Sequence, residues 1–100
     1  MVKVGLWVRL VAKPGKEQTV ASFLAGALPL AQKENDTIVW FALQLGEREF
    51  GIFDAFPGEA GRAAHLDGPI AAALMANAAD LLAEPPRIEK VDVLAAKVPG

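Results

Sequence analysis

The stretch Phe50 to Ile70, FGIFDAFPGEAGRAAHLDGPI, leaves this chain little freedom. An apolar run from Phe50 to Phe56 reads as a strand and is stopped by Pro57-Gly58. A short helix follows to about Leu66, and Asp67-Gly68-Pro69 breaks it. Pro69 then suits the first position of a second helix, because its fixed φ fits the helix and its missing N–H would have no partner there. The chain's one histidine, His65, and a carboxylate, Asp54, lie inside this stretch among phenylalanines.

The rest of the chain fits around it. Residues 2–12, VKVGLWVRLVA, are valine-rich and end at the turn Lys13-Pro14-Gly15, the pattern of a strand. Val4, Leu6, Val8 and Leu10 share one face; Trp7, Arg9 and Val11 share the other. Both faces are mostly apolar, so both sides of the strand are expected to be covered. From Lys16 to about Lys33, Val20, Phe23, Leu24, Ala27, Leu28 and Ala31 recur at helical spacing, with a kink or an early end expected at Pro29. Residues 37–45, TIVWFALQL, form a second strand. Gly46-Glu47-Arg48 turns it into the strand from Phe50 as a hairpin. A helix over 69–83 has the seam Ile70, Leu74, Asn77 and Leu81, and Pro85-Pro86 closes it. Residues 87–97 make a final, more charged edge strand, and Val98-Pro99-Gly100 is a tail.

The order is α+β, βαββαβ: a ferredoxin-like four-stranded antiparallel sheet with its helices on one face, in a single domain over residues 1–100. The other sheet face would be bare. The chain is 53% hydrophobic in only 100 residues, which favours covering that face with a second copy, a homodimer through facing sheets.

Composition excludes several functions. A net charge of −2 gives no basic footprint for nucleic acid. The first apolar run is interrupted by Lys3 and Arg9, so neither a signal peptide nor a membrane span is expected. The absence of cysteine removes thiolate chemistry and fits a cytoplasmic protein. Ser22, the one serine, sits mid-helix without the glycines of a nucleophile elbow. A lone histidine makes a zinc site unpromising, and no metal ligands are assigned. Gly58, Gly61 and Gly68 match no phosphate-binding loop.

Phe53-Asp54-Ala55-Phe56, Ala64-His65-Leu66 and Gly68-Pro69, with Val8-Arg9-Leu10 and Lys13-Pro14-Gly15-Lys16 near the start, lie in register along the chain. Together they resemble the antibiotic biosynthesis monooxygenase family of dimeric α/β barrels. The resemblance implies oxidation of a small electron-rich aromatic, a quinol or anthrone, by molecular oxygen and without a cofactor. Some members of that fold are not demonstrably enzymes, so a non-catalytic small-molecule-binding or dimerisation module is the alternative. Related barrels degrade haem with residues that would fall near Val8, His65 and Met75, and none matches. The family often carries a second histidine after the small-Pro pair; here Ile70 stands in that place.

In this reading His65 is the candidate base, its ordinary pKa of about 6.5 suiting proton transfer; the plain alternative is a surface or capping histidine. Asp54 either orients His65 or a substrate hydroxyl, or pairs with Arg9 across the sheet. The candidate substrate contacts are Trp7, Arg9, Trp40, Phe53, Phe56 and Asn77. For the aromatics the alternative is core or interface packing, and for Asn77 a bond to backbone. Glu59 and Arg62 are spaced as a surface ion pair, with Arg62 alternatively at a pocket mouth.

Overall fold

The computed structural model describes residues 1–99; Gly100, the end of the expected tail, lies outside them. The elements are β1 (Val4–Val11), α1 (Glu17–Gly26), α2 (Leu28–Gln32), β2 (Val39–Gln44), β3 (Glu49–Phe56), α3 (Glu59–Leu66), α4 (Pro69–Leu81) and β4 (Arg87–Asp92). The sheet order is β2-β3-β1-β4, and every neighbouring pair is antiparallel. This is the α+β ferredoxin-like arrangement that the sequence pattern predicts.

Strand alternation sorts the side chains. Leu6, Val8 and Leu10 of β1 and Phe50, Ile52, Asp54 and Phe56 of β3 face the helices, and all are buried. Val20 and Leu24 from α1, and Leu74 and Leu81 from α4, pack onto Val8, Leu10, Phe50 and Ile52 as one core. A smaller cluster of Ala27, Ala31 and Ile70 takes Trp40 and Leu30 against it. Each large side chain removed from water here is worth roughly 1.5–3 kcal/mol.

The expected break near Pro29 falls two residues earlier. Proline cannot donate to the carbonyl of Ala25, so the helix closes at Ala27, whose N–H bonds Leu24 O at 3.1 Å, and restarts as α2 with Pro29 in its first turn. Pro69 opens α4 behind Gly68.

The last strand is shorter than the pattern suggests. It ends at Asp92 rather than near Lys97, because its partner β1 begins at Val4; Val93 N–H makes one further bond to Lys3 O at 2.9 Å. Residues 95–99 then run past Val39, Phe41, Phe53 and Ala55.

The second sheet face carries Trp7, Phe41, Leu43 and Phe53. Phe41 is 52% exposed and Leu43 39%. Trp7 lies across Gly51, where a Cβ would stand 2.5 Å from the indole. No helix among the described residues is long and apolar enough to cross a membrane.

Candidate functional site

Asp54 stands directly opposite Leu6 on β1 and Trp40 on β2, so its carboxylate projects to the helix side, where it is fully buried. On α3, Gly61, Arg62 and His65 form the inward face, which places His65 over Asp54. His65 Nε2 lies 3.1 Å from Asp54 Oδ2. The contact has an ion-pair distance but not the direction of a hydrogen bond, and neither Asp54 oxygen has a hydrogen-bond partner. The other ring nitrogen is better served: Nδ1 lies 2.6 Å from Glu34 Oε1. Glu34 Oε1 also accepts the Thr37 hydroxyl at 2.7 Å. The Phe56 ring packs beside the imidazole, centroids 5.4 Å apart and tilted by 45°.

Burial pushes the His65 imidazole towards its neutral form, but the carboxylates of Asp54 and Glu34 outweigh that, and the net pKa lies above the ordinary value. Both ring nitrogens face acceptors, an arrangement the doubly protonated ring fits best. His65 thus lies between two carboxylates that favour its charged form, and both of its nitrogens face acceptors. Glu34, Asn35, Asp36, Thr37, Gly61 and Ala64 surround His65 in a shallow depression of about 190 Å³. Among the described residues no group of three ligand side chains is arranged to hold a metal ion.

A larger cleft lies elsewhere, between α1 and β2. Its volume is about 420 Å³, and its walls include Leu24, Leu28, Trp40, Ala42 and Phe50. The space exists because Ala42 is small: Trp40, Ala42 and Gln44 alternate along the helix-side face of β2, while Ala21 and Ala25 face them from α1. Gln44 supplies the cleft's polar rim. The Trp40 indole Nε1 is buried and has no hydrogen-bond partner.

The residues expected at the site are thus divided. Asp54, His65 and Phe56 meet in the buried cluster, and Trp40 lines the cleft. Trp7 and Phe53 are on the second sheet face. Arg9 does not pair with Asp54: it sits opposite Gly51 with its side chain on the other face, where Nη2 bonds both Glu49 oxygens at 3.1 and 3.0 Å. Two residues in strands of opposite parity cannot meet through the sheet. Asn77 Nδ2 donates to Ala73 O at 2.8 Å, the backbone alternative, and shares no cavity with His65. Arg62 is neither on the surface nor at a pocket mouth. It is buried, and its Nη1 donates to Gly5 O and Val91 O at 3.2 Å, tying α3 to the sheet. Its ion pair with Glu59 does form at 2.7 Å, and the guanidinium holds the Glu59 carboxyl below its usual range.

Sequence reasoning missed Glu34. It lies 31 residues from His65 in a polar loop, and no spacing rule connects the two. The contribution of Gln44 was legible in principle, as the polar member of the Trp40-Ala42-Gln44 face.

No family model matches the chain, and no curated protein matches it. Solved structures do. The NE2512 protein of unknown function from Nitrosomonas europaea is 64% identical, with a TM-score of 0.98 over 100% of this chain and 97% of that one. A candidate antibiotic biosynthesis monooxygenase from the same organism is 18% identical with a TM-score of 0.82, covering 92% of this chain and 90% of its own. Another, from Chloroflexus aurantiacus, is 16% identical with a TM-score of 0.75 over 98% and 99%. The chain belongs to the family of the Nitrosomonas europaea NE2512 protein, on the fold of the antibiotic biosynthesis monooxygenases.

Proposed function

We propose that this chain, a single domain over residues 1–100 acting as a cytoplasmic homodimer, binds a small, flat, electron-rich aromatic in the α1–β2 cleft. There it oxidises a quinol- or anthrone-like compound with molecular oxygen and no cofactor. The observation that carries this reading is the cleft itself: about 420 Å³ of mostly apolar wall with aromatic side chains on one side and a polar rim at Gln44.

The reaction balances without an added reductant. An anthrone methylene loses two hydrogens and gains one oxygen atom as a carbonyl; the second oxygen atom leaves with those hydrogens as water. The substrate supplies the electrons. The protein holds the ring against the apolar wall, and because the lining carries no base the first proton passes to solvent at the open side of the cleft. The buried His65–Asp54 pair lies on the same sheet face as Trp40, so it sets the charge behind the cleft wall without touching the substrate.

A second reading, a binding module without catalysis, is favoured by one observation. Both His65 nitrogens are engaged by carboxylates, and no titratable side chain lines the cleft.

Oxygen uptake on a panel of hydroquinones and anthrones, with no cofactor added, separates the two. A rate that scales with protein and saturates with substrate supports oxidation. Binding that quenches tryptophan fluorescence, with no oxygen uptake on any compound bound, supports the module.

The homodimer is supported by the second sheet face, where Trp7, Phe41, Leu43 and Phe53 offer an apolar surface. An isologous pairing of two such faces would cover it.

A further inference from the structure

Among the described residues three buried polar atoms make no hydrogen bond: Trp40 Nε1, Asp54 Oδ1 and Asp54 Oδ2, the last of which has its ion-pair contact with His65 Nε2 at 3.1 Å. They belong to residues directly opposite each other on β2 and β3, with side chains on the same face. Residues so paired have Cβ atoms about 4.5–5.5 Å apart. One group can only donate and the other, when ionised, can only accept. Buried polar groups are almost always paired, and leaving one unpaired costs about 1–3 kcal/mol. We propose that Trp40 and Asp54 together form a buried site for a single water molecule, which accepts the indole N–H, donates to the carboxylate, and so joins the wall of the α1–β2 cleft to His65.

Buried waters typically make about three hydrogen bonds, and this position offers the indole donor and the free Asp54 Oδ1, beside an Oδ2 that also faces His65 Nε2. The indole ring has two surroundings. It lines the cleft and packs on Ala27, Ala31 and Ile70, while its N–H is closed off from solvent. Asp54 in turn touches His65. A change of charge on His65 is therefore felt at Trp40 through one carboxylate and one water. The charged and titratable groups around the imidazole are Asp54 from β3 and Glu34 from the loop before β2, with Asp36 at the rim of the depression. On its own helix, Arg62 points away to Gly5 and Val91, with Glu59 beside it.

The coupling matters for function only if the cleft is the ligand site proposed above, but the water site can be read without any ligand. Nitrogen-15-labelled protein gives two indole N–H signals; loss of one in Trp40→Phe identifies Trp40, and Trp7 on the opposite sheet face is the control. The expected result has two parts. The Trp40 indole hydrogen shows a cross-peak to a long-lived water, and its resonance moves with pH at the same midpoint as the His65 ring hydrogens, while Trp7 stays still. In His65→Gln the movement is lost. The proposal is overturned by absence of the water cross-peak, by a Trp40 signal that ignores the His65 titration, or by one that still titrates in His65→Gln. Should that variant not fold, the wild-type titration decides. Failure of every aromatic to bind would remove the cleft reading and leave these signals unchanged.

Discussion

His65 Nδ1 and Glu34 Oε1 lie 2.6 Å apart, and this contact fastens the loop before β2 to the helix after β3. It also gives the buried imidazole its second carboxylate. Glu34→Gln removes the charge and keeps a hydrogen-bonding side chain. The His65 titration midpoint, followed by NMR of its ring hydrogens, is expected to fall relative to wild type. An unchanged midpoint would mean that Asp54 alone holds the proton.

The raised His65 pKa sets the direction of a pH effect on stability. The folded protein binds this proton more tightly than the unfolded chain, whose histidine titrates near 6.5. The contribution is fully present below about pH 6.5 and is lost as pH rises through the folded value. Urea unfolding at a series of pH values should therefore show this contribution falling as pH rises above about 6.5. His65→Gln should flatten that part of the curve. A wild-type curve that rises over this range would contradict the assignment of a buried imidazolium.

The architecture was written in local patterns, and the site only partly so. Alternation in Val4 to Val11 and Phe50 to Phe56, with prolines at 29, 57 and 69, fixes where strands and helices begin and end, because each signal acts within a few residues. The meeting of His65 with Asp54 follows once α3 is laid back over β3. Strand parity separates Arg9 from Asp54, and that was readable as soon as the pairing register was known: Arg9 faces Gly51, and Asp54 faces Leu6. Glu34 was not readable, because a loop carboxylate's target depends on how the α2–β2 connection settles against α3. Arg62 misled for a similar reason. Its spacing from Glu59 marks an ion pair whether the arginine is exposed or buried, and only the tertiary fold shows its bonds to Gly5 and Val91.

Gly5 of β1 lies opposite Ala55 of β3, beneath the site. A Cβ there would stand 2.7 Å from the backbone oxygen of Asp54, and backbone cannot yield as a side-chain tip can. Gly5→Ala should cost about 1–3 kcal/mol by overpacking. Chemical denaturation reads this directly, and the strand shift should also disturb the His65 titration. A variant as stable as wild type would show that the two strands separate there more easily than the packing implies.

Ala42 keeps the α1–β2 cleft open between Trp40 and Gln44. Ala42→Phe fills that space and adds a residue that strands favour, so the thermal midpoint should not fall. Binding of a flat aromatic, followed by tryptophan quenching, should weaken by tenfold or more. Undiminished binding would place the ligand elsewhere, with the depression around His65 the next site to test.

The second sheet face, only partly covered by residues 95–99, makes the last prediction. A stable protein–protein interface buries about 800 Å² on each partner, and its centre tolerates an unpaired charge badly. Phe41 is half-exposed on that face and lies opposite Phe53. In a facing-sheet dimer Phe41→Glu would bring two carboxylates into the apolar contact. Light scattering coupled to size exclusion, at micromolar concentration, should give the mass of two chains for the wild type and of one chain for Phe41→Glu. Because Phe41 points away from the core of Leu10, Phe50 and Leu24, the monomeric variant should keep its circular dichroism spectrum. A wild-type protein that elutes at the mass of one chain would sink the facing-sheet arrangement, and the exposure of Phe41 and Leu43 would then need a different partner.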